Sequence, residues 1–130
     1  MPGFGIFATP AKLKEKGAAL RQFASIVAGA WTYAVASPAH EKEAVDAEMA
    51  ARAGDRIERA DMLKQLEVSK PFLYSRHSRN LPIGVETEAD WADAIAVMEK
   101  AKAIPPGTKP SEYFTNDYLD LSVIKELGAR

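Results

Sequence analysis

The sequence has no cysteine and only 2 histidines among 130 residues. Disulfides and thiol chemistry are therefore excluded. His40 and His77 are far apart, and neither sits in a metal-ligand spacing such as His-x-x-x-His. No apolar run approaches the roughly 18 residues of a membrane-spanning helix. An excess of positive charge is also missing: 17 Lys and Arg stand against 18 Asp and Glu, a net charge of −1. A nucleic-acid binder draws its affinity from clustered Lys and Arg, so that class of partner is excluded. Gly3 and Gly5 flank Phe4 without the strand, loop and helix that a phosphate-binding turn needs. The opening MPGFGIFATPAKLK lacks the pattern of a secretory leader, so the chain as it stands is expected in the cytoplasm.

What remains is a helical composition. The apolar share is 47%, but 23 of those 61 residues are alanine, which favours helix while burying little surface. The expectation is a single helical domain over residues 1–130, with closely spaced helices or a core completed against a partner. Phe4 to Ala8 reads as a short strand. Thr9-Pro10 reads as a helix start, since Thr caps well and Pro suits the first helical position. A short turn of helix over Lys12 to Lys16 is expected to end at Gly17. A longer helix follows from about Ala18 to Ala36. Its expected core stripe is Leu20, Phe23, Val27, Ala30, Trp31 and Ala34, at helical spacing.

Ser37-Pro38 repeats the cap and proline signal, and a third helix runs from there to about Ala53. It carries only Val45 and Met49 as large apolar residues and so reads as a surface helix. Asp55 and Glu58 resemble a capping box for a fourth helix bearing Ile57, Met62, Leu63 and Leu66, which Pro71 ends. Residues 72–86 read as irregular, with Pro82 and Gly84 as breakers. Thr87 and Asp90 open the clearest helix, with Trp91, Ala94, Ile95, Val97 and Met98 along it. Pro105-Pro106-Gly107 stops that helix. A turn near Pro110 and a last short helix from Leu121 to Leu127 complete a mostly α chain of about five helices and one short N-terminal strand.

These landmarks carry a resemblance. Gly5, Ala8, Thr9 and Pro10 are followed by Phe23, Gly29, Trp31, Tyr33 and Ala34, then by Ser37-Pro38, Asp90-Trp91 and the closing Tyr113-Phe114-Thr115-Asn116-Asp117-Tyr118-Leu119. In that order they resemble the C-terminal portion of substrate-binding proteins of nitrate, sulfonate and taurine ABC importers. The resemblance implies a two-lobed α/β periplasmic parent that closes on a small, anionic solute and delivers it to an ABC permease, with no reaction and no cofactor. It also implies that the core of the first lobe and the whole second lobe are missing from this chain. Helices that would cover a sheet then keep an apolar face, and a homo-oligomer, most simply a dimer, is expected. The alternative is a helical homo-oligomeric interaction module with no small-molecule ligand.

Few residues offer chemistry. Asp90 with Asp93, or Glu41 with Glu43, have the form of acid–base pairs. Both pairs lie on helices rich in opposite charge and read as solvated surface. Arg76, His77 and Arg79 form a basic cluster suited to a sulfonate or carboxylate, or else a solvated loop. Trp31 and Trp91 have the shape to stack on a ligand, but their helical stripes favour packing. Tyr113, Phe114 and Tyr118 are expected to pin the C-terminal segment to the helices. No catalytic residue and no metal ligand is assigned, and the ligand-binding residues stay undefined.

Overall fold

The computed structural model describes residues 5–54 and 56–130. Five helices follow one another: α1 (Pro10–Ala34), α2 (Pro38–Ala51), α3 (Arg59–Ser69), α4 (Glu88–Lys100) and α5 (Leu121–Gly128). Two short 3-10 turns, Lys70–Phe72 and Pro110–Glu112, punctuate the connections. Among the described residues there is no strand. The expected strand over Phe4 to Ala8 is replaced by irregular backbone at residues 5–8, and Phe4 lies outside the described residues. A lone apolar segment has no neighbour to supply ladder hydrogen bonds, so its composition does not make it a strand.

Local signals set the helix starts. Thr9 caps α1 by accepting from the Lys12 backbone N–H at 3.3 Å. Ser37 caps α2 by accepting from the His40 N–H at 3.2 Å, and Thr87 caps α4 by accepting from the Asp90 N–H, also at 3.2 Å. Each of these side chains satisfies a donor that the helix itself cannot. The expected break at Gly17 is instead a bend inside α1, at Lys16 (φ −121°, ψ 18°). At Gly17 a Cβ would lie 3.4 Å from Tyr118 Cε1, so the small residue lets that ring close on the helix. The fourth helix starts later than expected, at Arg59. Glu58 occupies its cap without a side-chain hydrogen bond, and Asp55 lies outside the described residues.

The principal packing is α1 against α5, and it uses the face of α1 that has the smallest side chains. Ser25, Ala28 and Gly29 are buried along it. A Cβ at Gly29 would lie 2.7 Å from Leu127 Cδ1, and a Cβ at Gly128 would collide with the Thr32 methyl. Glycine at both places brings the two backbones together. The expected core stripe of α1 is only partly right. Ala34 is buried and Leu20, Val27 and Trp31 are half-buried, but Phe23 is 56% exposed and Ala30 is exposed. Size rather than polarity decides the packed face, because close helix approach rewards the absence of side chain.

Candidate functional site

The loop between the 3-10 turn at residue 70 and α4 is the most polar built region. Ser75, Arg76, His77 and Ser78 dock on the first turns of α4. Asp90, 4% exposed, is the centre. Its carboxylate accepts from Ser75 Oγ at 2.6 Å and from Thr87 Oγ1 at 2.7 Å. Ser75 and Ser78 tie the loop to itself: the Ser75 N–H donates to Ser78 Oγ at 2.9 Å, and the Ser78 N–H donates to Ser75 Oγ at 3.0 Å. Burial pushes the Asp90 pKa up, yet the Ser75 and Thr87 hydroxyls and the nearby His77 outweigh it. The net position is below the ordinary carboxylate value.

One turn on, Asp93 receives the basic part of the loop. Arg76 donates to it at 2.6 Å, and His77 Nε2 lies 3.1 Å away. Hydrogen bonding from His77 and then from Arg76 lowers the Asp93 pKa. His77 Nε2 is also 2.9 Å from Arg76 Nε. A neutral ring accepts from the guanidinium there, whereas a protonated ring donates to the carboxylate. The structure thus joins two separate sequence candidates, the acidic pair and the basic cluster, into one ion-paired unit. Arg79 is exposed beside them.

This unit does not have the layout of a serine–histidine nucleophile. In a Ser–His arrangement the serine oxygen meets a histidine nitrogen, but the Ser75 hydroxyl donates to Asp90 while the His77 Nε2 faces Asp93. The other acidic pair separates. Glu41 is bound by Lys70, which also reaches Glu67 at 2.6 Å, and Glu43 accepts the Tyr33 hydroxyl at 2.6 Å. His40 stacks on Tyr33 with ring centroids 4.1 Å apart. No group of three or more His, Cys, Asp and Glu among the described residues is arranged to hold a metal ion. No helix among them is long and apolar enough to cross a membrane.

The closing aromatic segment forms a clamp. Trp91 stacks on Tyr113 at 6.0 Å and on Phe114 at 5.8 Å, and its indole N–H donates to Glu86. Asn116 pairs with the Glu86 backbone in both directions: its amide donates to the Glu86 carbonyl at 2.9 Å, and its oxygen accepts the Glu86 N–H at 3.1 Å. Arg21 of α1 then donates to the Asp117 carbonyl at 3.0 Å and to the Asp120 carboxylate at 3.3 Å. Asn116 stood within the closing motif of the resemblance, whereas sequence reasoning missed Ser25, Glu86 and Asp120 as organising residues. Only Asp120, a good capping residue one place before a short apolar helix, carried a usable signal.

Two hollows are described. One hollow of about 260 Å³ is lined by Ala18, Arg21, Gln22, Ser25, Asp120 and Val123, and one of about 100 Å³ by residues between α2 and α3. Both fall below the roughly 300–1,000 Å³ of ordinary small-molecule sites. Neither is lined by Arg76, His77, Arg79, Trp31 or Trp91. No family model, curated protein or solved structure matches the chain.

Proposed function

We propose that this chain is the closing part of a solute-binding protein serving an ABC importer of the nitrate, sulfonate and taurine type. The observation that supports the reading is the clamp. Asp90-Trp91 and the Tyr113 to Leu119 segment were set apart as separate points of resemblance, and they touch through Trp91, Tyr113 and Phe114. Of the N-terminal points of resemblance, Thr9 caps α1 and Gly29 lies in its contact with α5. In this reading the parent works in the periplasm, closes two lobes on a small anion and hands it to a permease, without chemistry. The ion-paired loop at Arg76 and His77 then serves as a built edge of the lobe, with its charge already answered by Asp93.

The test is direct. A thermal-shift screen with nitrate, sulfate, taurine, other sulfonates and pyrimidines is expected to give a concentration-dependent rise with one class. Flat responses throughout would remove the binding activity from this chain. Reading the genomic frame upstream of Met1 is an independent check. An in-frame leader and N-terminal lobe would support the proposal, and an isolated frame would count against it.

One observation favours a second reading, an interaction module. The accessible surface is 9313 Å². A compact monomer of 14.2 kDa exposes about 6,800 Å² on the usual mass scaling. About 2,500 Å² of extra surface is more than the roughly 800 Å² that each side of a standard interface buries. Under either reading a covering partner has surface to bind.

A further inference from the structure

α1 has two long faces. One holds Ser25, Ala28 and Gly29 against α5. The other is open along Lys16, Ala19, Phe23, Ile26 and Ala30, and it ends at Tyr33, which is half-buried against His40 of α2. From Ala19 to Ala30 the spacings are 4, 3 and 4, near the 3.5 period of a seam between two helices, and Lys16 lies at the bend that ends it. Phe23 is 56% and Ile26 46% exposed, and both alanines are exposed. At about 100° per residue the centre of the open face lies about 140° around the helix from that of the buried face.

We propose that this open seam is the interface of a two-fold dimer, α1 packing antiparallel on α1 of a second copy. The order of the side chains argues for this occupant, because the seam is complementary to its own reverse. A two-fold axis crossing α1 between Ala24 and Ser25 sets Phe23 against Ile26 of the second copy. It also sets Ala19 against Ala30, where small residues allow close approach, and Lys16 against Tyr33. An isologous interface needs this self-complementarity. Charge points the same way. Tyr33 donates to Glu43 at 2.6 Å, so each copy brings a carboxylate near the other's Lys16. The parallel arrangement would set Lys12 and Lys16 beside their own copies. The inference goes beyond the solute-binding reading and does not depend on it.

Sedimentation velocity on the whole chain at tens of micromolar tests the proposal. The expected mass is twice 14.2 kDa, and F23E with I26E is expected to weaken self-association at least tenfold while helicity by circular dichroism is kept. A monomeric wild-type chain would overturn the proposal. Because the sequence has no cysteine, cross-linking fixes the register even if the charged variant fails to fold. The A19C/A30C chain is expected to oxidise to a covalent dimer, and A19C alone is not. Cross-linking by A19C alone would overturn the antiparallel register. The solute reading fails separately: a dimer with no thermal response to any anion leaves the interface standing, and a monomer that responds to one leaves the solute reading standing.

Discussion

The Ser25 hydroxyl accepts the backbone N–H of Asp120 at 2.7 Å, across 95 residues of sequence, and donates in turn to the Arg21 carbonyl at 2.6 Å. Ser25 has no exposed surface. The link fixes the start of α5 against the middle of α1. Replacing Ser25 with Ala leaves the Asp120 N–H without its partner, which is expected to cost about 1–3 kcal/mol. Urea denaturation of S25A reads the loss directly. An unchanged midpoint would mean that water or a small shift of α5 replaces the hydroxyl.

Close approach of α1 and α5 gives a second expectation. Gly29→Ala places a methyl 2.8 Å from Leu127 Cβ, an atom that cannot swing away without moving α5. Overpacking of this kind costs about 1–3 kcal/mol. G29A combined with L127G is expected to be less destabilised than the sum of the two single variants, because the second change removes the Cβ that obstructs the first. Strict additivity in thermal melts would show that the contact does not limit packing.

Gly84 is constrained twice over. Its φ is +90°, and a Cβ there would lie 3.1 Å from Ala28 Cβ. Gly84→Ala is therefore expected to destabilise by at least about 1 kcal/mol through backbone strain alone. Ala28→Gly in the same chain would relieve only the steric part. Chemical denaturation of the single and double variants separates the two causes.

Asp90 sets the response to acid. Its pKa is lower in the folded chain than its ordinary value, so the folded state favours the ionised form. That contribution is full above the unfolded value and is lost as pH falls through the folded value. Stability is expected to be level from about pH 8 to 5 and to drop below about pH 4, the ordinary carboxylate range. Asp46, Asp93 and Asp120 are also shifted down, but they are more exposed and more screened. D90N is expected to be less stable at neutral pH, with a shallower acid decline. An equally steep decline would assign the acid step elsewhere.

The sequence expectation of an anion at Arg76, His77 and Arg79 meets Asp93 as an internal competitor. D93N removes the competing charge while keeping the side-chain volume. Added sulfate or taurine is expected to raise the melting temperature of D93N more than that of the wild type. Equal responses would indicate that the loop does not meet the anion.

Helix positions were legible where side chains act on their own backbone. Thr9-Pro10, Ser37-Pro38 and Thr87 mark true starts because capping is local. Pro105 to Gly107 likewise follows the end of α4. Faces were less legible. Phe23 and Ala30 fit a helical stripe, but a stripe records periodicity and not which side is covered. The packed face of α1 is written in Ser25, Gly29 and Thr32, which count little on a hydrophobic scale. The candidate site was half legible. Arg76, His77, Asp90 and Asp93 each stood out, but nothing in the sequence said that a 15-residue separation closes from Ser75 to Asp90.

The union of α1 with α5 also sets an order of events during synthesis. α2 and α3 can meet as soon as both have emerged, since they are neighbours in sequence. The small-residue face of α1 has to wait until Leu121–Gly128, which follows α2, α3 and α4 in sequence, has left the ribosome. During that interval Ala28 and Gly29 face water, and the nascent chain offers a bare helical groove to chaperones and proteases. Loss of α5 would therefore make that waiting state permanent rather than trim an edge.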